Sequence, residues 1–313
     1  MPFSSTTFGS TELAVSRLGF GASPIGAFET PRNQVGRLLD LLLGRGVNVI
    51  DTARCYGSEA LLGELLEPRR DDVVLITKAG YDEQAGTHTF TADGIAASLD
   101  RSLAELRTDH VDVLLLHSCD LDVLEDGEAV EALVAAQKAG KARFIGYSGD
   151  NDEAAWAARD PRIQVLEMSI NICDQANEER ALPLCREHDK AVIAKRPLAN
   201  AAWKNLDDQP GFYRDYAAEY TRRFRLMVQQ GLTPDALGYS GHADIEWPEI
   251  ALKYPLSLPG VHVAICGTTS TVHAEINLDA AGKNDLRDEV MRRIAEAYAA
   301  ARDADGGDWP AQR

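Results

Sequence analysis

In Gly46-Val47-Asn48-Val49-Ile50-Asp51-Thr52-Ala53-Arg54-Cys55-Tyr56-Gly57-Ser58-Glu59, a short β-branched run ends in an acid, and a tyrosine follows just before a Gly-Ser-Glu helix start. The run reads as a buried strand, and the residues after it read as the loop into a helix. In an α/β barrel the chemistry sits at the carboxyl ends of the strands and in the loops that follow them. Asp51 and Tyr56 therefore fall where reactive groups are expected.

Working outward, the same unit recurs. Strand-like runs occupy Leu18–Ala22, Asn48–Ala53, Val73–Lys78, Val111–His117, Phe144–Ser148, Ile163–Ser169, Ala191–Arg196 and Val261–Gly267. Helix candidates with 3.6-residue apolar spacing lie near 33–45, 58–67, 92–106, 125–139, 152–159, 178–188, 243–258 and 271–281. Eight runs alternating with helices predict an α/β protein with a (β/α)8 TIM barrel. Runs such as Val111-Asp112-Val113-Leu114-Leu115-Leu116 are apolar on both faces, as a covered parallel sheet requires. No linker divides residues 1–313, so one domain is expected. Three parts stand outside the repeat: an N-terminal β-hairpin within 1–16 that would plug the lower end, a long segment 199–242 between strands 7 and 8, and an extra C-terminal helix near 285–303. The aromatic spacing Tyr213, Tyr216, Tyr220, Phe224 in the long segment suits a helix packing a stripe on the body. The polar end 304–313, with Asp-Gly-Gly-Asp-Trp-Pro, reads as a mobile tail.

Composition narrows the class. The chain has 313 residues, 45% hydrophobic and 26% charged, and a formal net charge of −17. Such acidity argues against nucleic-acid partners, whose phosphates attract the opposite sign. Five cysteines without paired or metal-ligand spacing suggest reduced thiols and no metal site. No signal-like or membrane-spanning run is evident, so no membrane association and a cytoplasmic location are expected. A monomer or small homo-oligomer is compatible with all of this. Gly19-Phe20-Gly21 with Gly26 has the wrong spacing for a dinucleotide half-fold.

Four ionisable residues stand at or just past consecutive strand ends: Asp51, Tyr56, Lys78 and His117. Their shared logic is proton donation. An ammonium beside a phenol favours phenolate and lowers the phenol pKa, so Lys78 is expected to pull Tyr56 down. Asp51 would hold Lys78 protonated, and His117 would hydrogen-bond a substrate oxygen or share the proton with Tyr56. A Schiff-base role for Lys78 would need a lysine without a carboxylate partner, which Asp51 argues against. At the other end of the chain, Gly267-Thr268-Thr269-Ser270-Thr271 offers a close-approach glycine, hydroxyls and a helix start near Ser270, the features of a phosphate site. Lys195 and Arg196 would draw a pyrophosphate to that side, or else pair with neighbouring acids.

These stretches resemble the aldo/keto reductase family over nearly the whole chain. Leu18–Gly26 is similar to the family's first strand, Gly46–Leu65 to its first signature, Ser98–His117 to its second, and Lys138–Ser148 to the approach to the nicotinamide pocket. By that resemblance Asp51, Tyr56, Lys78 and His117 fall on the catalytic tetrad. The implied reaction is reduction of a small-molecule aldehyde or ketone by NADP(H) or NAD(H), with Tyr56 as acid. The cofactor side departs from the pattern. Glu167 stands where a glutamine would hold the carboxamide, Ser148-Gly149 replaces a serine-asparagine pair with Asn171 nearby, and Lys195 replaces a stacking aromatic in Lys195-Arg196-Pro197-Leu198. Asn277 falls on the adenine position, Ile276 replaces a glutamate, and Gly267 and His273 stand where basic residues often hold the 2′-phosphate, which leaves the cofactor preference open. The alternative is a non-catalytic cofactor-binding regulatory subunit with the same barrel. Substrate selection is expected from loops carrying Phe28, Tyr81 and Cys119, and from 199–242.

Overall fold

The computed structural model describes residues 5–82, 86–209 and 211–312. Eight parallel strands close into a barrel: β1 Leu18–Gly21, β2 Val49–Asp51, β3 Val74–Ala79, β4 Val111–Leu116, β5 Ala142–Ser148, β6 Val165–Ser169, β7 Ala191–Lys195 and β8 Val263–Cys266. Neighbours pair in chain order, and β8 returns to β1 through Ala264 opposite Leu18 and Cys266 opposite Phe20. The expected (β/α)8 barrel is the observed fold.

Side chains alternate inward and outward along a strand. Val49, Val74, Ile76, Val113, Leu115, Val165, Ile193, Val263 and Ile265 form one buried cluster inside the barrel. The alternate residues Ile50, Leu75, Leu114, Leu116, Leu166, Met168, Val192 and Ala264 belong to the cluster shared with the surrounding helices. This two-sided burial is why the strands read as continuous apolar runs.

The lower end is closed by the N-terminal hairpin, in which Ser5–Thr7 pairs antiparallel with Ala14–Ser16. Phe8 is fully buried in the interior cluster. Gly9 has a positive φ of 49°, and a Cβ there would come within 2.5 Å of the Ala191 nitrogen, so the turn requires glycine.

Two expected helices are broken. The 125–139 segment divides into Leu121–Asp126 and Glu128–Lys138 at Gly127, whose φ is 84°. The 178–188 segment divides into Ala176–Arg180 and Leu182–Glu187, with Pro183 in the first turn of the second. The long segment contains a helix at Gly211–Gln229, and Tyr220 and Phe224 bury against Trp247, Tyr254, Ile294 and Tyr298. The Tyr216 side chain lies outside the described residues.

The tail corrects an expectation. Residues 308–312 are held in place, with Trp309 and Ala311 buried. Asn151 Nδ2 donates to the Ala311 carbonyl (3.0 Å), and Asn151 Oδ1 accepts from the Ala311 nitrogen (2.8 Å). Arg223 donates to the Pro310 carbonyl at 2.8 Å, and the Gln312 nitrogen donates to Asp174 at 2.9 Å. The Gly-Gly pair supplies a turn after the Asp288–Ala304 helix, and Trp309 packs edge-on against Tyr298.

Candidate active site

Continuing the inward alternation by one step beyond the apolar interior gives the next layer of the barrel. Val49 leads to Asp51, Ile76 to Lys78, Leu115 to His117, Gly146 to Ser148, Val165 to Glu167, Ile193 to Lys195 and Ile265 to Gly267. The carboxyl-end mouth is therefore ringed by acids, bases and hydroxyls contributed two residues after the core.

On the β2–β4 side the ring is assembled around Lys78. Its ammonium donates to Asp51 Oδ1 at 2.6 Å and to the Thr52 carbonyl at 3.0 Å, and it lies 5.3 Å from the centre of the Tyr56 ring. The Tyr56 and His117 rings meet edge to face with centres 6.3 Å apart. The loop carrying Tyr56 is tied down at several points. Arg54 is buried and pairs with Glu59 at 3.1 Å and Glu105 at 2.6 Å, Glu59 accepts from Thr77 at 2.6 Å, and Gly26 lies so close to the Tyr56 carbonyl that any Cβ would overlap it.

The charges settle as follows. Burial presses Lys78 toward the neutral amine, but the Asp51 and Glu167 carboxylates outweigh it and hold the ammonium. Burial and the Glu167 carboxylate push Asp51 upward against the pull of Lys78. Burial pushes the Tyr56 phenol up, Lys78 pulls it down, and Asp51 and Glu167 push it up again. The net direction for Tyr56 is upward, which corrects the expectation that Lys78 would lower it: burial is the largest cause, and Asp51 and Glu167 add to it against the one ammonium. Burial, followed by Lys78, His88 and Lys195, holds His117 well below the usual histidine range, so its ring is neutral at neutral pH.

The β5–β8 side is arranged differently. Ser148 Oγ donates to Glu167 Oε1 at 3.0 Å, and Glu167 Oε2 lies 3.4 Å from Lys78 Nζ. Lys195 and Arg196 do not stand as two open charges beside the phosphate loop. Lys195 pairs at 3.0 Å with Asp150 Oδ2, and Asp150 Oδ1 accepts from the Ser169 nitrogen (2.6 Å) and from Asn177 (2.9 Å). Arg196 donates to the Gln312 carbonyl of the tail and, at 3.3 Å, to Ser169 Oγ. Pro197 is buried, and Leu198 packs against both outer clusters. Arg196, Ala199, Asn200 and Ala201 all have positive φ, so the chain leaves β7 through a succession of left-handed residues.

The Gly267 loop is preformed. Thr268 Oγ1 accepts from the Ser270 nitrogen at 3.0 Å, and Gln34 donates to the Thr269 carbonyl at 2.6 Å. Ser270 caps the Thr271–Ala281 helix by accepting from the His273 nitrogen. A Cβ on Gly267 would come within 2.7 Å of Pro24, so only glycine gives this approach. His273 is exposed and Asn277 is buried. Two buried polar atoms near the β6 end lack a hydrogen-bond partner among the described residues: Glu167 Oε2, an acceptor, and Asn171 Nδ2, a donor. An acceptor and a donor suit a carboxamide, and a helix N-terminus behind a glycine suits a phosphate. The residues present thus fit a nicotinamide dinucleotide.

Two neighbours of the site escaped sequence reading. Asp150 holds Lys195, and its signal is only an acid two residues beyond a strand end. His88, in the short hairpin pairing Tyr81–Asp82 with Thr87–His88, lies with its ring centre 5.2 Å from that of His117. Phe28 packs on Tyr213 with ring centres 5.9 Å apart, so the inserted segment reaches the loop after β1. Cys119 is buried and its carbonyl accepts from Tyr147. Among the described residues no group of three His, Cys, Asp or Glu could hold a metal ion, and no helix is long and apolar enough to cross a membrane.

A closed parallel barrel with an ionisable ring at its carboxyl-end mouth has the layout of a barrel enzyme. The particular family follows from comparison: residues 17–299 match the model of the aldo/keto reductase family, and the chain belongs to it. It is 28% identical to 6-dehydroglucose reductase of Agrobacterium fabrum, over 87% of this chain and 90% of the relative. It is 25% identical to NADH-specific methylglyoxal reductase of Escherichia coli, over 92% and 97%. The holo structure of an aldo-keto reductase from Bacillus halodurans superposes with a TM-score of 0.77 at 26% identity, covering 94% of this chain and 96% of that one. The protein is accordingly an oxidoreductase of the aldo/keto reductase type.

Proposed function

We propose that the protein moves hydride reversibly between a nicotinamide dinucleotide and the carbonyl carbon of a small aldehyde or ketone, with Tyr56 as general acid in reduction and base in oxidation. The observation that carries this reading is Lys78, buried and held at 2.6 Å by Asp51, with its ammonium 5.3 Å from the Tyr56 ring. The hydride chemistry belongs to the dinucleotide when bound. This chain's residues do the rest. Tyr56 gives its proton to the substrate oxygen, Lys78 stabilises the phenolate left behind, and Asp51 keeps Lys78 charged and oriented. His117 is neutral and so can donate one ring N–H to that oxygen without adding charge.

Glu167 and Asn171 would hold the carboxamide, with Ser148 beside them. The Gly267-Thr268-Thr269-Ser270 turn with His273 and Asn277 would hold the adenosine end. Lys195 and Arg196 act there by shaping the wall, because their charges are already engaged. That engagement, with Gly267 and His273 at the 2′-phosphate positions, supports weak discrimination between NADPH and NADH. Nothing in the site favours the regulatory-subunit alternative.

Titrating NADH and NADPH against protein fluorescence tests this. Saturable binding of both is expected, with affinities within about tenfold, or about 1.4 kcal/mol. Absence of binding by either would refute the reading.

A further inference from the structure

The lysine at the heart of this site has one carboxylate more than proton delivery from Tyr56 requires. Asp51 reaches Lys78 from β2 at 2.6 Å, and Glu167 reaches the same ammonium from the far side of the barrel, on β6, at 3.4 Å. Both acids are 2% exposed. Glu167 is fixed in that direction because Ser148 donates to its other oxygen at 3.0 Å. One cation therefore serves two buried carboxyl groups, next to the phenol that must lose a proton.

We propose that Glu167 is a positioning residue for the reaction: as a second counter-ion of Lys78 it cancels part of the ammonium's pull on Tyr56 and keeps Tyr56 a phenol to higher pH. This rests on the hydride-transfer reading of the site. An extra negative charge within a few ångströms disfavours phenolate. The acid form that reduction needs is then retained further into alkaline solution, while the phenolate that oxidation needs appears later.

The other groups facing Tyr56 and Lys78 do not replace this effect. Asp51 is common to both forms, Cys55 lies on the Tyr56 loop with its sulfur 3.9 Å from His117 Nδ1, and His117 on β4 is neutral. His88 on the hairpin and Lys195 on β7 act on His117, and Lys195 is neutralised by Asp150.

The test is Glu167→Gln, which removes the charge and keeps an oxygen that can accept from Lys78 and an NH2 that can donate to Ser148 Oγ. With a saturating dinucleotide, the pH profile of turnover is measured in both directions. The alkaline limb of reduction and the onset of oxidation should both move to lower pH by about one unit or more, with Glu167→Asp remaining closer to the native profile. A second readout needs neither cofactor nor turnover. In protein labelled with 13C at tyrosine Cζ, with the Tyr56 signal assigned by Tyr56→Phe, ionisation should begin at lower pH in Glu167→Gln than in the native chain.

A change in dinucleotide affinity with unmoved limbs would overturn the proposal, because Glu167 would then be only a hydrogen-bonding partner of the carboxamide. An unmoved Tyr56 resonance would overturn it as well. Native protein that binds no dinucleotide would instead refute the hydride-transfer reading itself, while the resonance experiment would still report on Glu167.

Discussion

The two halves of the mouth are built from the same layer of the barrel and use their charges differently. From β2 to β4, Asp51 holds Lys78, and Lys78 and His117 both face the Tyr56 ring within the mouth. From β5 to β8, Lys195 and Arg196 are turned to partners outside it: Asp150 beyond β5, and a tail carbonyl more than a hundred residues away. The first half is a tightly paired ionisable cluster. The second is a wall whose cations brace the fold.

This contrast can be broken at Lys78. Lys78→Met leaves Asp51 and Glu167 buried without their cation. A loss of about 3–5 kcal/mol in urea unfolding at neutral pH is expected, together with loss of turnover. If the variant were as stable as the native chain, the first half would not be the tightly coupled cluster described here.

A smaller effect sharpens the other half. Asn151→Ala removes both side-chain bonds to Ala311. It should cost about 1–2 kcal/mol and raise hydrogen exchange at residues 309–312. No change in either measurement would mean that the tail does not brace the Arg196 wall.

Much of this organisation was legible in the chain, and the reasons differ by region. Continuous apolar strands and periodic helices follow from burial on two faces, so eight units could be counted. The helix breaks at Gly127 and Pro183 are local and could have been placed from those residues. Asp51, Lys78 and His117 stand at strand ends, and Tyr56 follows within one short loop, so their shared location needed no long-range information. Their net electrostatics did need it. The upward push on Tyr56 comes first from its burial in the assembled mouth, with Asp51 and Glu167 adding to it, and the alternation from Val165 to Glu167 is the only sequence signal for Glu167's inward direction.

The tail was misread for the opposite reason. Asp-Gly-Gly-Asp-Trp-Pro is polar and turn-forming by composition, yet Trp309 is buried and the backbone of residues 310–312 is hydrogen-bonded by Arg223, Asn151, Asp174 and Arg196. Those partners come from four separate parts of the chain. A window of sequence around 308–312 contains none of them.

The central claim is that Tyr56 delivers the proton in a dinucleotide-dependent carbonyl reduction. The most direct measurement compares native protein with Tyr56→Phe, following oxidation of NADH or NADPH with a panel of small aldehydes and ketones alongside dinucleotide affinity. The expected result is turnover by the native protein and a fall of about a hundredfold to ten-thousandfold in the variant, with affinity little changed. Undiminished turnover in Tyr56→Phe would contradict the account.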